Sequence, residues 1–149
     1  MPIKTLVVNA SPIISLFKAD LAFILPAVSS NIMVPGPVWR EITISGHSDP
    51  AARGLQACSW AKQLDVDDVE PKIADWDLGA GEESVLSYVY KKRECHAVLD
   101  DARARRCAYS LEIPVIGTGG LLLIAKKKQV ISSVQEGLSS LKDAGLFIA

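Results

Sequence analysis

Three oxygen-bearing side chains stand immediately after strand-like segments of this chain. Asn9 closes an apolar run at residues 3–9, and Asp100 and Asp101 directly follow another at residues 96–99. Short apolar runs of this kind are typical of strands buried on both faces of a parallel sheet. Ligands of such sheets bind beyond the carboxyl ends of the strands, so we expect Asn9 and the two aspartates to face one crevice.

Further carboxylates belong to helices near the same edge. Glu82 and Glu83 open a predicted helix that precedes the strand at residues 96–99, and Glu41 lies in the helix after a strand at residues 31–34. Carboxylate and amide oxygens without histidine or cysteine form a site that suits Mg²⁺ or Mn²⁺ and not zinc. Such ions activate water and bind phosphoryl oxygens, so the pattern indicates phosphate chemistry.

Each of these side chains also has a structural alternative. For Asn9 it is a turn role that caps the following helix, and for Asp101 it is the N-cap of the next helix. For Glu41 it is pairing with a neighbouring arginine or exposure to solvent. Glu82 and Glu83 are both acids at a helix start, where their charge interacts favourably with the helix dipole. The choice between them as a ligand stays open.

The sequence lacks the motifs of several other enzyme classes. It has no phosphate-binding loop that ends in Gly-Lys-Ser/Thr, no Gly-x-Ser-x-Gly nucleophile elbow and no His-Glu-x-x-His zinc motif. Residues 117–120 are rich in glycine and follow a strand-like segment. The third glycine is absent at the spacing that a dinucleotide-binding loop requires. We interpret these residues as a tight turn. The two histidines and three cysteines have no partner at ligand spacing, so no role is assigned to them.

Composition indicates one globular domain with segregated charge. The 149 residues are 49% hydrophobic and 22% charged, and 17 acidic against 16 basic side chains give a net charge of -1. This average conceals an acidic segment at residues 65–83, with eight acidic residues and one basic, and a basic segment at residues 91–128, with nine basic and four acidic. The local charge therefore leaves nucleic acid open as a partner.

Within the basic segment, the arginines beside the acidic motif are the best candidates for contact with substrate. Arg103 and Arg106 are predicted to bind substrate or to moderate the charge of the carboxylates. The clusters at residues 91–93 and 126–128 have two interpretations. They are either cations that oppose the dipole at helix ends or contacts to RNA phosphates.

Cysteine usage and hydropathy predict the compartment. Three cysteines make an odd count with no zinc-type spacing, which favours a reduced protein. No apolar run reaches the roughly 18 residues of a membrane span. The first apolar run contains Lys4 and lacks a cleavage site at signal-peptide distance. We therefore expect a cytoplasmic protein.

The elements that would position these side chains alternate between strand and helix. Ser11 is predicted to cap the first helix, and a second helix is predicted at residues 20–28. Residues 60–69 fit either a helix end or a strand, and residues 71–81 are predicted to form an irregular loop. The alternation predicts a single α/β domain over residues 1–149 with a mostly parallel sheet. Its strands are predicted at residues 3–9, 31–34, 96–99, 113–116 and 146–148.

Several of these segments together resemble a known family. Residues 7–14, 34–42, 78–86 and 98–108 look like the successive motifs of PIN-domain proteins. The segment at residues 114–123 and the closing Ala-Gly-Leu-Phe-Ile are similar to a prokaryotic PIN branch related to the toxins of VapBC-type toxin–antitoxin pairs. The resemblance implies a three-layer α/β/α fold with a parallel sheet and an acidic metal cluster.

The resemblance also implies roles for particular residues. The family's acid positions fall in chain order on Asn9, Glu41, Glu82 and Asp100, with Asp101 close behind, and its small hydroxyl residue falls on Ser11, as a contact to substrate. Glu41, Glu82 and Asp100 would then be catalytic, and all five acid-position residues would hold the metal. The departure is Asn9, whose carbonyl can bind a hard cation but brings no charge. One unit-charge pair at ~4 Å, with an effective dielectric near 20, is worth roughly 4 kcal/mol.

As a function, the resemblance implies an endoribonuclease that uses Mg²⁺ or Mn²⁺ to hydrolyse RNA, as the toxin of a toxin–antitoxin pair. We expect a small antitoxin, whose arginine enters the acidic site, and a homodimer. The alternative, which Asn9 favours, is a catalytically weak or inactive nucleic-acid-binding protein on the same scaffold. A metal-dependent phosphohydrolase or receiver-like module is disfavoured because no aspartate ends the first strand.

Overall fold

A five-stranded sheet lies at the centre of the computed structural model, which describes residues 3–45, 50–66 and 68–145. The strands are β1 Thr5–Val8, β2 Asn31–Pro35, β3 Ala61–Leu64, β4 Cys95–Val98 and β5 Val115–Ile116. Their spatial order is β3-β2-β1-β4-β5, and every neighbouring pair is parallel. The parallel sheet is confirmed, and the strand interpretation holds within residues 60–69.

Helices cover both faces of the sheet and complete a three-layer α/β/α fold, as the sequence predicts. They are α1 Ala10–Lys18, α2 Ile24–Val28, α3 Gly36–Ser45, α4 Pro50–Ala57, α5 Pro71–Ala74, α6 Ala80–Lys91, α7 Ala102–Ser110, α8 Thr118–Lys127 and α9 Val134–Asp143. Helix α6 packs against α3 and the three central strands, whereas α8 packs against α2 and α9. No helix in the described part of the chain combines the length and apolar character needed to span a bilayer.

The core is built around the two central strands. Leu6, Val7 and Val8 of β1 have no exposed surface, because neighbouring strands and both helix layers enclose them. On β4, Ala97 and Val98 are buried in the same way. The strands whose ends carry the candidate site are therefore packed into the core.

The prediction that Ser11 caps the first helix is wrong. Helix α1 begins at Ala10, and the N-cap residue is Asn9, whose backbone is extended with φ −79° and ψ 168°. The cause is a long-range contact, because the Asn9 N–H donates to the Val98 carbonyl oxygen at 3.1 Å. This bond keeps Asn9 on the sheet, so the helix starts directly after it.

Three other predicted boundaries need correction. Residues 71–81 are not entirely irregular, because α5 occupies their first turn with its proline at the first helical position, where the missing N–H costs nothing. Residues 117–120 form no separate turn, because the backbone of Gly117 is extended and α8 begins at the next residue. The helix predicted at residues 20–28 is confined to α2, and Asp20 has φ 56°. The strand predicted at residues 146–148 lies outside the described residues.

Candidate active site

The two central strands meet at the point where the chain changes direction across the sheet. From β1 the chain continues to β2 on one side, and from β4 it continues to β5 on the other. The carboxyl-end crevice at such a switch point is the usual ligand site of an open α/β sheet. A cavity of about 470 Å³ lies here, lined by Asn9, Ser11, Ser15, Glu41, Gly79, Gly81, Glu82, Asp100, Asp101 and Gly145.

Asn9 presents its side chain to this cavity. The residue is only 7% exposed, and although it stands at the N-cap of α1 its side chain makes no capping hydrogen bond. Its Oδ1 lies 3.2 Å from the position that a Cβ would take at Gly81. Asn9 is therefore the N-cap of α1 by its backbone position, as the capping alternative predicts, but its amide does not cap the helix and faces the start of α6 across the cavity.

The start of α6 brings Glu82 into the same cavity. Glu82 Oε1 accepts a hydrogen bond from the Gly79 N–H at 3.1 Å, which anchors the side chain at the first turn of the helix. Burial raises the pKa of Glu82, the Gly79 N–H acts against that rise, and the negative charges of Asp101 and Glu41 add to it. Glu83 does not line the cavity. Of the two alternative ligands, Glu82 is the one placed at the site.

Glu41 approaches from α3 on the opposite wall. It is exposed, and its Oε1 lies 3.6 Å from the same Cβ position at Gly81. A methyl group at Gly81 would also stand 3.2 Å from Val38 Cγ2. The absence of a side chain at this glycine therefore lets α6 approach both Asn9 and Glu41.

Asp100 is held at the site by one residue, Thr118. Its Oδ1 accepts from the Thr118 N–H at 2.8 Å, and its Oδ2 accepts from the Thr118 hydroxyl at 2.5 Å. Thr118 is fully buried, whereas Asp100 is half-buried, so the donor side of both bonds lies in the core. Together they fasten the end of β4 to the start of α8 and fix the orientation of the carboxylate.

Asp101 takes its predicted N-cap position and also stands at the cavity. Its Oδ2 accepts from the Ala104 N–H at 2.9 Å, which makes it the N-cap of α7. It also lines the cavity beside Asp100. The cap bond engages one carboxylate oxygen and leaves the second available to the cavity.

The donor chemistry of the cavity fits a hard cation, although its carboxylates do not form a ready-made cluster. Among the described residues, no group of three or more His, Cys, Asp or Glu side chains is arranged to hold a metal ion. Burial is the main cause of the raised pKa of Glu82, and the smaller contribution from repulsion by Asp101 and Glu41 is the kind that a cation would relieve. Mg²⁺ is usually bound through one or two carboxylates and several waters, so an all-protein cluster is not required.

The comparison with protein-family models covers almost the whole chain. A model described as PIN domain matches residues 5–149. The chain belongs to the PIN-domain family. PIN domains are generally metal-dependent nucleases, so at this coarse level the chain is a hydrolase. No curated protein matches it.

The residues predicted to bind substrate fall in different places on this PIN domain. Ser11 lines the acidic cavity. Arg106 lines a neighbouring cavity instead, and Arg103 is exposed on α7 and lines neither. Sequence reasoning missed Thr118 and Arg105. The hydroxyl residue within Gly-Thr-Gly-Gly was the available signal for Thr118, whereas nothing in the sequence distinguished Arg105 from the arginines beside it.

The two basic clusters of the PIN domain serve helix ends and the surface. Lys126 Nζ donates to the Ser132 carbonyl oxygen at 2.7 Å, and Lys128 Nζ donates to the Val28 carbonyl oxygen at 3.2 Å. Arg93 lies over the Tyr90 ring at 5.0 Å from its centroid. These contacts favour the structural interpretation of both clusters.

Proposed function

We propose that this PIN domain is an endoribonuclease that hydrolyses RNA phosphodiesters with Mg²⁺ or Mn²⁺. The observation that carries the proposal is the single cavity at the switch point, which gathers Glu41, Glu82, Asp100 and Asp101 around Asn9. Oxygen ligands of this kind, without histidine or cysteine, are those that Mg²⁺ and Mn²⁺ prefer.

In this proposal the oxygen ligands of the cavity hold the metal ion. Glu41, Glu82 and Asp100 would hold the ion, with Asn9 and Asp101 assisting. Such an ion, when bound, activates water and stabilises charge on phosphoryl oxygens. The carboxylates alone repel phosphate, so the acidic cavity receives RNA only when their charge is compensated.

The positions of two residues, Asp100 and Ser11, support the proposal. The carboxylate of Asp100 does not need to be ordered at the moment of reaction, because Thr118 already holds both of its oxygens. Ser11 is exposed and lines the cavity, and in this proposal its hydroxyl would donate to a phosphate oxygen.

Cleavage of a mixed panel of single-stranded and structured RNAs tests the proposal. Wild-type protein should cut with Mg²⁺ or Mn²⁺ and not with EDTA. Glu82→Gln should lose cleavage by about a hundredfold or more, because an amide keeps the acceptor for Gly79 but removes the charge. Glu83→Gln is the matched control, since Glu83 is also half-buried on α6 but does not line the cavity. Equal losses in the two variants would contradict the assignment.

A second candidate function is a PIN domain that binds nucleic acid with weak or no cleavage. The observation that favours it is Asn9, which supplies no negative charge at a nearly buried wall of the cavity. RNA that is bound but not cut, together with cleavage by Asn9→Asp, would select this function. A chain that neither binds nor cuts any RNA of the panel would overturn both candidates.

We propose further that the enzyme acts in the cytoplasm as a toxin, masked by a small antitoxin, and forms a homodimer. This rests on the resemblance of residues 114–123 to the toxin branch, and on an acidic cavity that suits an incoming arginine. Expression of the wild-type chain should stop growth of a host cell, and Glu82→Gln should not. Light scattering measures the oligomeric state, and a monomer at micromolar concentration would contradict the homodimer.

A further inference from the structure

A second cavity adjoins the acidic one and has the opposite character. Its volume is about 680 Å³, which is within the range of small-ligand pockets. Arg105, Arg106 and Tyr109 of α7 form one wall, the start of α8 forms another, and Ile116 contributes apolar surface. Asp100 lines both cavities, so a ligand in the second cavity lies directly beside the proposed cleavage site.

The guanidinium of Arg105 is held in place by the protein. Its Nη1 donates to the Leu99 carbonyl oxygen at 3.1 Å and its Nη2 donates to the Tyr109 hydroxyl at 2.7 Å. Gly117 makes room for it, because a Cβ there would stand 2.5 Å from Nη1. A cation fixed in this way loses little conformational entropy when it binds an anion.

The second cavity keeps a net positive charge, because two arginines, Arg105 and Arg106, line it together with one carboxylate, Asp100. Neither arginine forms an ion pair with a carboxylate in the described ranges. Arg106 is exposed, and its side chain forms no hydrogen bond or ion pair with the described residues. The cavity is therefore complementary to an anion of the size of a phosphate group.

An aromatic ring and apolar surface accompany these charges. Tyr109 is 58% exposed, and its hydroxyl accepts a hydrogen bond from Arg105. Guanidinium groups that bind a backbone phosphate, next to an aromatic ring that stacks on a base, are the standard combination for single-stranded nucleic acid. An inorganic anion or an acidic side chain would use only the charges.

We propose that this second cavity binds the nucleotide adjoining the cleaved phosphodiester of single-stranded RNA. Arg105 and Arg106 contact its phosphate, and Tyr109 stacks on its base. The inference rests on the proposed nuclease function for its orientation beside Asp100. Binding of a nucleotide by Arg105, Arg106 and Tyr109, outside the acidic cavity, does not itself require cleavage.

Binding of a short fluorescein-labelled single-stranded RNA, measured by anisotropy in EDTA over a series of salt concentrations, tests the inference without cleavage. Arg106→Gln should weaken binding about tenfold, and the slope of log K against log salt should fall by about 0.7, the value for one phosphate contact on a single strand. Arg103→Gln is the matched control, because it removes the same charge from an exposed position on α7 that lines neither cavity.

Tyr109→Leu and a blocking pair at Gly119 separate stacking from charge. Tyr109→Leu should weaken binding about tenfold with an unchanged salt slope, whereas Tyr109→Phe, which keeps the ring and removes only the hydroxyl that accepts from Arg105, should weaken it much less. Gly119 lines the second cavity and has no atom within 4 Å of a Cβ built there. Both Gly119→Gln and Gly119→Glu should therefore fold normally and weaken binding, and the glutamate should do so more.

The outcomes distinguish this inference from the nuclease proposal. If Arg103→Gln and Arg106→Gln have equal effects, or the slope does not change, the second cavity is not the site and the inference is overturned, whatever the cleavage assay gives. If a poly-glutamate peptide displaces the RNA from wild type but not from Arg106→Gln, the cavity binds a protein partner, which also overturns it. Binding as expected without any cleavage supports the inference and refutes the nuclease.

Discussion

Replacement of Asn9 by aspartate tests how close the amide stands to the carboxylates. Asn9 Oδ1 and Glu41 Oε1 lie 3.2 Å and 3.6 Å from one point, so they are no more than about 7 Å apart. Two unit charges at that separation repel each other by about 2 kcal/mol at an effective dielectric near 20. Screening of the exposed Glu41 reduces this figure, whereas burial of the new carboxylate adds a desolvation cost. We expect Asn9→Asp to lower the free energy of unfolding of the metal-free protein by about 1–3 kcal/mol.

A divalent cation should reverse the effect, because it binds the folded variant through one more charge. Urea unfolding in EDTA, followed by tryptophan fluorescence, gives the metal-free cost, and repetition with Mn²⁺ gives the stabilisation by the ion. The stabilisation should be larger in Asn9→Asp than in wild type. Asn31→Asp is the matched control, because it places the same charge at the amino end of β2, away from the cavity.

Two results would refute this reasoning. One is a metal-free Asn9→Asp protein that unfolds at the same urea concentration as wild type at neutral pH. The other is an equal gain from Mn²⁺ in Asn9→Asp, Asn31→Asp and wild type. Either result would mean that the amide of Asn9 does not face the carboxylates as the structure describes.

Three further predictions concern the supports of the site. Gly81→Ala should lower the free energy of unfolding in urea by about 1–2 kcal/mol, because the new methyl group is crowded. Gly119 also stands at the second position of its helix but has open space around it, so Gly119→Ala should raise that free energy by about 0.5–1 kcal/mol. Similar effects of the two variants would contradict the packing at Gly81. Thr118→Val should lower stability by about 1–3 kcal/mol in thermal unfolding, because it removes the hydroxyl donor to Asp100 and keeps the shape of the side chain. An unchanged melting temperature would argue against that bond. Because the pKa of Glu82 is raised in the folded protein, the native state keeps a proton that the unfolded state has lost, so metal-free stability should fall as pH rises above the ordinary value of 4.5. Glu82→Gln should abolish that fall, and parallel pH profiles of the two proteins would exclude Glu82 as its source.

The sequence predicted the sheet edge well because the relevant signals are local. The buried residues of β1 and β4 make both strands readable as apolar runs, and the polar residues that follow them mark where each strand stops. A capping aspartate needs only its own next turn, so Asp101 was predictable as the start of α7. These elements alone were enough to place Asn9, Asp100 and Asp101 at one crevice.

Other features were not predictable because distant contacts decide them. Ser11 has the chemistry of an N-cap, but the bond from Asn9 to the Val98 carbonyl places the cap two residues earlier. Adjacent helical residues such as Glu82 and Glu83 differ only by rotation about α6, and packing against Asn9 and α3 decides which one faces the cavity. Local sequence contains neither piece of information.

The arginines of α7 illustrate the same limit of local reasoning. Arg103, Arg105 and Arg106 all lie off the apolar helix face, so helical periodicity treats them alike. Their positions relative to the start of α8 separate them, because Gly117 admits only the guanidinium of Arg105. That relation joins residues that are neighbours only after β5 has paired with β4.

The brevity of β5 has a consequence for the dynamics of the site. This strand has two residues and lies at the edge of the sheet, where amide protons exchange with solvent through local opening more readily than in the core. Opening that carries Thr118 away from Asp100 would break both hydrogen bonds that orient the carboxylate between the two cavities. Hydrogen exchange at residues 115–118 therefore reports how often this carboxylate is released from Thr118. Any ligand that requires Asp100 should slow exchange at this edge before it affects the central strands.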